Sequence, residues 1–234
     1  MIVPVDCRFP HKGTLALAGS GEYLPPMEPV DRVLLAELGE PGRVVCLPTA
    51  AGTEGQDRLD YWMQLGEKHF KQLEVESVES LPVFTREHAF SVELVKKVEQ
   101  ANFVYLSGGK PSYLLECFTA TPILETILRK LDTGGVVAGC SAGAMIFGER
   151  IPNRSFIGGT TTGLNLLPNH FVVPHFDEIP FILKFGIPQM VGHLTLLGIE
   201  ANTVLHCRDN RFSVIGEGGI TLGSGSNAIR YLAG

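Results

Sequence analysis

The residues best suited to chemistry lie in the segment Gly139–Gly143, which reads Gly-Cys-Ser-Ala-Gly. This GCSAG turn matches the pattern G-x-S-x-G, in which a serine occupies a sharp turn between a strand and a helix. The apolar run Val136–Gly139 predicts the strand, and Ala142–Phe147 predicts the helix. The N-terminus of such a helix places N–H groups beside the reacting oxygen. We therefore predict that Ser141 is a nucleophile, the alternative being a tight turn without a catalytic role.

A nucleophilic serine also needs hydrogen-bond donors for the oxyanion that forms during its attack. The apolar run Asn102–Leu106 predicts a strand that leads into Ser107-Gly108-Gly109. In a parallel sheet the carboxyl ends of neighbouring strands meet at one edge. We expect the backbone N–H groups of Gly109 and Ala142 to form the oxyanion hole there. A plain strand-ending turn is the alternative for the glycine pair.

The base must come from seven histidines, of which His170 and His175 flank the strand-like run Phe171–Val173. His175 follows the end of this short strand, which is a suitable position for a general base. From these residues alone, a structural role for His175 remains open. The other histidines lie in a loose N-terminal stretch, in surface-like polar segments, or in irregular and edge-strand stretches: His11, His69, His88, His193 and His206.

Short apolar runs alternate with helical patterns along the first 150 residues, which predicts βαβ units and a mainly parallel α/β sheet. The predicted strands are Thr14–Ala18, Arg43–Leu47, Val75–Val78, Asn102–Leu106 and Val136–Gly139. The predicted helices are Val30–Leu38, residues 57–73, Leu94–Ala101 and the segment between Thr121 and Gly134. Later in the chain we expect a Gly/Thr loop at Gly158–Gly163, a strand at Phe171–Val173, and short antiparallel edge strands at Thr203–Cys207, Arg211–Ile215 and Gly219–Leu222.

The overall composition excludes several classes of protein. The chain has 234 residues and no visible linker, so we expect a single domain over residues 1–234. A net charge of −6 without a basic cluster argues against nucleic acid as a partner. The five scattered cysteines form no CxxC pair, which favours reduced thiols and a cytoplasmic location. A charged N-terminal stretch and the lack of a bilayer-length apolar run predict neither a signal peptide nor a membrane span.

Taken in order, the motifs resemble peptidase family S51, which includes cyanophycinases and dipeptidase E. The similarity spans most of the chain. The matching segments are Leu17–Glu22, Pro48–Gly52, Leu106–Gly109 with Tyr113-Leu114, Gly139–Ala144, Gly163–Pro168 and Pro174–Phe176. The resemblance implies a flavodoxin-like fold, as in class I glutamine amidotransferases, with Ser141 as nucleophile and His175 as base. It also implies a serine-type peptidase or amide hydrolase.

Two segments depart from the family pattern. Cyanophycinases follow their histidine with an arginine-rich segment, whereas Asp177–Pro188 contains Lys184 as its one basic residue. Cyanophycinases also carry a glutamate in a G-I-D-E-x-T segment, and here the carboxylate of Gly198–Thr203 is Glu200, one place earlier. We expect Glu200 to be the third member of the triad, with Asp177 and Glu217 as the other candidates.

The implied mechanism proceeds through an acyl-enzyme and needs no metal or organic cofactor. The expected substrate is a small peptide or isopeptide, bound with help from Gly108, Lys110 and Tyr113; Lys184 is a further candidate. A homodimer is possible. Two alternatives stay open. One is a binding or regulatory protein of the same fold that has lost turnover. The other is a glutaminase that uses Cys140, although a cysteine one position before the turn residue is expected to pack under the sheet.

Overall fold

The computed structural model describes residues 1–153, 159–180, 184 and 191–234. The helices in this part of the chain are α1 (Glu28–Ala36), α2 (Gln56–Gln72), α3 (Val92–Gln100), α4 (Pro111–Phe118), α5 (Pro122–Thr133) and α6 (Ala142–Met145). The strands are β1 (Thr14–Ala18), β2 (Arg43–Leu47), β3 (Ser77–Ser80), β4 (Phe103–Leu106), β5 (Val136–Cys140), β6 (Arg150–Pro152), β7 (Thr160–Thr162), β8 (His170–Val173), β9 (Thr195–Ile199), β10 (Thr203–Arg208), β11 (Arg211–Gly216), β12 (Gly219–Leu222) and β13 (Ile229–Leu232). None of the described helices is long and apolar enough to cross a membrane.

A seven-stranded sheet in the order β11-β10-β1-β5-β4-β2-β3 forms the centre of the molecule. Strands β1 to β5 pair in parallel, and β10 and β11 add an antiparallel edge beside β1. Strands β1, β2, β4 and β5 read as largely apolar runs because helices cover both faces of the sheet, whereas β3, which reads Ser-Val-Glu-Ser, lies at the more exposed edge. The predicted mainly parallel α/β sheet with antiparallel edge strands is confirmed, and the carboxyl ends of β1, β4 and β5 lie side by side.

A second sheet in the order β13-β12-β9-β8 stands beside the first. The predicted antiparallel strand Gly219–Leu222 is confirmed as β12, but its predicted edge position is wrong, because it lies between β9 and β13 in this second sheet. The predicted loop Gly158–Gly163 is also wrong in its middle part, where β7 pairs antiparallel with β6. Gly158 itself lies outside the described residues, as does most of Phe181–Pro188.

The helix α5 shows how local sequence sets these boundaries. The side chain of Thr121 accepts a hydrogen bond from the backbone N–H of Leu124, and Pro122 occupies the first helical position. The helix ends at Gly134, whose φ of 92° suits glycine. Both predicted ends are confirmed. The strand β5 begins two residues later and leads directly to the GCSAG turn.

The environment of one histidine differs from the one that the sequence predicted. The surface-like environment predicted for His69 is wrong, because its ring is buried beneath the sheet and its Nε2 lies 2.7 Å from Asp31 Oδ2. Burial raises the pKa of Asp31, and the hydrogen bond with His69 opposes that rise. The pair joins α1 to α2 and lies on the opposite side of the sheet from the apolar core that contains Ala142.

Candidate active site

Ser141 occupies a strained backbone conformation between β5 and α6. Its φ is 51° and its ψ is −111°, a region that residues with a Cβ rarely adopt. Such strain persists only where the surrounding structure enforces it, and it is concentrated at functional sites. Here the Ser141 N–H donates to the carbonyl oxygen of Ala18 at the end of β1, 3.1 Å away. The turn is therefore anchored to the neighbouring strand.

The two glycines of the GCSAG turn are required by the closeness of the backbone around them. A Cβ on Gly139 would lie 2.3 Å from the carbonyl oxygen of Gly143. A Cβ on Gly143 would lie 2.4 Å from the carbonyl oxygen of Leu106, the last residue of β4. Because these neighbours are backbone atoms, they have little freedom to move aside. The glycines thus allow α6 to start directly against the ends of β4 and β5.

His175 is presented to Ser141 by the turn that follows β8. Its Nε2 lies 3.1 Å from Ser141 Oγ. The His175 N–H donates to the carbonyl oxygen of Gly19, 3.3 Å away, and the φ of His175 is 54°. The turn after β8 therefore packs against the loop after β1. This contact brings a residue of the second sheet to the carboxyl edge of the first sheet.

A carboxylate that the sequence analysis missed holds the other side of the His175 ring. Glu178 Oε2 lies 3.0 Å from His175 Nδ1, and Glu178 Oε1 accepts a hydrogen bond from Ser20 Oγ at 3.1 Å. An ionised carboxylate only accepts hydrogen bonds, so this contact favours the tautomer with its proton on Nδ1, which leaves Nε2 to accept from Ser141. The side chain of Glu178 is 54% exposed. The three residues form a continuous Ser–His–Glu chain.

Glu200, the expected third member, lies elsewhere. Its carboxylate makes two hydrogen bonds with Arg230, at 2.6 and 2.7 Å, and accepts the N–H of Gly219 at 2.9 Å. The planar guanidinium of arginine suits such a two-point contact with a carboxylate. The structure therefore does not bring Glu200 to His175, because the second sheet occupies both of its oxygens.

The two other acidic candidates also have partners away from the histidine ring. Asp177 Oδ1 accepts a hydrogen bond from the backbone N–H of Ala201 at 2.8 Å. Glu217 Oε2 accepts from the side-chain amide of Asn202 at 3.3 Å. The first contact joins the His175 turn to the β9–β10 connection, and the second joins that connection to the β11–β12 turn. A hint of Glu178 was present in the sequence, since a residue three places after His175 can return to the ring across a single turn.

The donors expected for the oxyanion hole lie at this edge. Gly109 is exposed, with a φ of 141°, and a Cβ there would lie 2.5 Å from the backbone of Ala50. Ala142 is the first residue of α6, so its N–H has no partner within the helix. Gly108 differs from the expectation that it contacts substrate. It is buried, and its N–H donates to Glu22 Oε1 at 3.0 Å.

Cys140 is a poor candidate for a nucleophile. Its side chain is fully buried, and Sγ donates to Glu22 Oε2 at 2.9 Å. Burial, and next the nearby charge of Glu22, raise the pKa of the Cys140 thiol well above its usual value. The reactive form of cysteine is the thiolate, which this environment disfavours. The geometry thus argues against the glutaminase alternative.

A pocket of about 700 Å³ opens beside Ser141 and His175. Gly109 lines it as well, and much of the wall is apolar, formed by residues that include Met145, Phe171, Val173, Pro174 and Ile179. Two residues predicted to bind substrate, Lys110 and Tyr113, are also part of the lining. No cluster of three or more histidine, cysteine or acidic side chains that could hold a metal ion occurs in the described residues.

The polar groups of the pocket differ in their availability. Lys110 is exposed, and its Nζ donates to Oγ1 of Thr53, another lining residue, at 2.7 Å. The Tyr113 hydroxyl donates to the carbonyl oxygen of Phe84 at 2.8 Å, and burial raises the pKa of Tyr113 to about 12. Lys184 lies elsewhere, with Nζ 4.4 Å above the ring of Phe176.

A hydrogen-bonded serine, histidine and carboxylate at the carboxyl edge of a mainly parallel sheet define a protein of the α/β hydrolytic class. Comparison with known proteins gives the family. The family model described as "Peptidase family S51" matches residues 15–215. The chain belongs to peptidase family S51.

Individual relatives support the same assignment. A cyanophycinase of Nostoc sp. is 30% identical over 166 residues, which are 65% of this chain and 55% of that protein. The matched region thus spans about half the length of this cyanophycinase and of two similar curated cyanophycinases. The crystal structure of a peptidase from an acI-B1 actinobacterium has a TM-score of 0.85 and 32% identity, and the match covers 97% of each chain.

A more distant structure shares the fold. The crystal structure of a putative peptidase E from Listeria monocytogenes has a TM-score of 0.62 and 20% identity, and the match covers 95% of this chain and 99% of that one. The two solved structures confirm the flavodoxin-like fold that the sequence motifs implied.

Proposed function

We propose that this protein is a serine peptidase that cleaves small peptides through an acyl-enzyme. The observation that supports the proposal most directly is the hydrogen-bonded chain from Ser141 Oγ through the His175 ring to Glu178, with distances of 3.1 and 3.0 Å. Membership of a peptidase family supports the same chemistry. In this proposal Glu178 takes the orienting role that the sequence analysis gave to Glu200.

The proposed reaction begins when Ser141 Oγ attacks the carbonyl carbon of the scissile amide. His175 Nε2 takes the hydroxyl proton, and the imidazolium that forms is stabilised by Glu178. The N–H groups of Gly109 and Ala142 donate to the oxyanion. The imidazolium then protonates the leaving amine, and the acyl-enzyme forms. A water molecule, deprotonated by His175, releases the acid product and restores Ser141.

The pocket supports a small substrate. A volume of about 700 Å³ lies within the range of sites for small molecules. Lys110, which lines the pocket, is suited to a substrate carboxylate, so we favour a short peptide with an acidic residue on the acyl side. A cyanophycinase-like isopeptide is the second substrate to test, because curated relatives carry that name. Lys184, the basic residue expected to contribute after His175, lies over Phe176 and not in the pocket lining.

A fluorophosphonate probe tests the proposed chemistry directly. We expect the wild-type protein to form an adduct at Ser141, located by peptide mass spectrometry. The adduct should vanish in Ser141→Ala and His175→Ala. A folded wild-type sample that is not labelled would favour the alternative of a binding or regulatory protein. Dipeptides with Asp, Glu or Lys in the first position, assayed beside a β-aspartyl-arginine isopeptide, would then define the substrate. Equal turnover of the Asp and Lys dipeptides would contradict the role given to Lys110.

A further inference from the structure

The proposed mechanism leaves one buried carboxylate beside the active site without a role. Glu22 belongs to the loop after β1 and is 8% exposed. One of its oxygens accepts the N–H of Gly108 at 3.0 Å, and the other accepts the thiol of Cys140 at 2.9 Å. A carboxylate is costly to bury unless it is hydrogen-bonded, and these two contacts offset that cost. Glu22 therefore joins three segments, namely the loop after β1, the end of β4 and the end of β5.

Both partners of Glu22 are immediate chain neighbours of the groups that would react. Gly108 precedes Gly109, whose N–H is a proposed oxyanion donor. Cys140 precedes Ser141, the proposed nucleophile. Glu22 itself is not among the residues that line the pocket. It therefore contacts the residues that precede the proposed oxyanion donor and nucleophile without reaching the substrate site. Its position is typical of a residue that acts through others.

The peptide that carries the Gly109 N–H is fixed on both sides. Glu22 holds Gly108 on one side, and on the other the Lys110 N–H donates to the carbonyl oxygen of Ala50 at 2.9 Å. Glycine at position 108 leaves room for the contact between its N–H and Glu22. A Cβ there would lie 2.8 Å from Glu22 Oε1 and 3.3 Å from the Cβ of Ser141. A glycine has no Cβ to restrict its backbone, so we expect the loss of one anchor to release the donor.

We propose that Glu22 is a positioning residue that holds the Gly109 N–H and Ser141 at the separation required to stabilise the oxyanion. This inference rests on the proposed serine peptidase function and adds a residue to it. It also gives a reason for the cysteine at position 140. The thiol supplies a hydrogen-bond donor for the second oxygen of Glu22 where an apolar side chain would leave that oxygen without a partner.

The test measures the second-order rate constant for fluorophosphonate labelling of Ser141. In Glu22→Ala we expect the rate constant to fall about 10- to 100-fold, because a displaced oxyanion donor loses much of its effect. Glu22→Asp, which is too short to reach both partners, should fall similarly and serves if the alanine variant does not fold. Glu22→Gln should stay within about 3-fold of wild type, because its amide oxygen can still accept from Gly108.

Glu37→Ala is the matched control. Glu37 is also a partly buried glutamate with several hydrogen bonds, but it contacts Thr14 at the opposite end of β1. We expect this variant to be less stable than wild type and to label at the wild-type rate. A second readout is independent of labelling: hydrogen exchange of the Gly108 amide, followed by NMR, should become faster in Glu22→Ala but not in Glu37→Ala.

The outcomes separate the two proposals. If wild-type Ser141 is labelled but Glu22→Ala and Glu22→Asp are labelled equally fast, the positioning role is refuted and the serine peptidase proposal stands. The positioning role is also refuted if Glu22→Gln is slowed as much as Glu22→Ala, or if Glu37→Ala is slowed equally. If folded wild-type protein is not labelled at all, both proposals fail.

Discussion

Replacing Glu178 by glutamine tests the third member of the proposed triad. Glu178→Gln keeps the size and shape of the side chain and removes its charge. The amide oxygen of glutamine can still accept from His175 Nδ1, and Ser20 Oγ can still contact the other end of the group. The change in rate would therefore report the charge that stabilises the imidazolium, and not the loss of the whole contact.

The expected size follows from the exposure of this carboxylate. A hydrogen bond to a charged group contributes about 1.5–3 kcal/mol. Because the Glu178 side chain is 54% exposed, water screens its charge, and we take the lower part of that range. A loss of about 1.5–2 kcal/mol corresponds to a fall in kcat of about 10- to 30-fold. A buried triad acid, in contrast, can account for about 10⁴-fold.

The assay compares Glu178→Gln with Glu200→Gln, using turnover of the best dipeptide or the rate of Ser141 labelling. We expect Glu178→Gln to lower kcat with little change in KM. Glu200→Gln should instead lower the free energy of unfolding, because it weakens the contact with Arg230. A larger loss of kcat in Glu200→Gln than in Glu178→Gln would refute the assignment. An unchanged rate in Glu178→Gln would show that His175 needs no carboxylate.

Three further predictions concern the surroundings of the site. Burial would raise the pKa of Glu37, but hydrogen bonds with His206, Thr14 and Arg208 lower it to about 2, against an ordinary value of 4.5. The stability that this lowered pKa supplies is present above about pH 4.5 and is lost as the pH falls toward 2. Urea unfolding of wild type and Glu37→Gln should therefore differ by about 1–3 kcal/mol at pH 6 and converge near pH 2. Cys140 should resist iodoacetamide in the folded protein, and rapid alkylation located by mass spectrometry would contradict its burial. Gly143→Ala, whose Cβ would meet a backbone carbonyl at 2.4 Å, should lower the melting temperature sharply or prevent folding, and a wild-type melting curve would contradict the packing described.

The central strands of the main sheet could be predicted because they are short and largely apolar, whereas the edge strand β3, which reads Ser-Val-Glu-Ser, begins two residues later than the predicted Val75–Val78. The predicted limits of Thr14–Ala18 and Arg43–Leu47 agree with β1 and β2 residue for residue. Parallel strands covered on both faces leave this simple pattern, and glycine-rich turns mark their ends. The second sheet leaves no such local pattern. The pairing of Gly219–Leu222 with β9 joins segments about twenty residues apart, and the choice of partner depends on tertiary packing.

The site could be predicted in the parts where backbone geometry restricts the sequence. The glycines around Ser141 and the glycine at position 109 are required by close backbone contacts, so their spacing is informative. The environment of His175 was harder to predict, since the contact of its turn with Gly19 depends on how the two sheets pack. No sequence motif identifies Glu178. Its role depends on a three-residue turn and a hydrogen bond from Ser20, both of which are features of the folded chain.

The displacement of the acidic residue in Gly198–Thr203 fits the proposal that the orienting carboxylate comes from a different segment. Successive side chains at the end of a strand point in opposite directions, so a shift of one position turns a carboxylate away from its former target. At position 200 the glutamate meets Arg230 and the N–H of Gly219. At position 201 an alanine offers only its backbone N–H, which Asp177 accepts. That contact draws the turn after β8 against the β9–β10 connection, and the same turn carries Glu178 back to His175. In the proposed triad, a carboxylate on this turn orients the histidine without a contribution from β9, and we expect its greater exposure to water to weaken its effect.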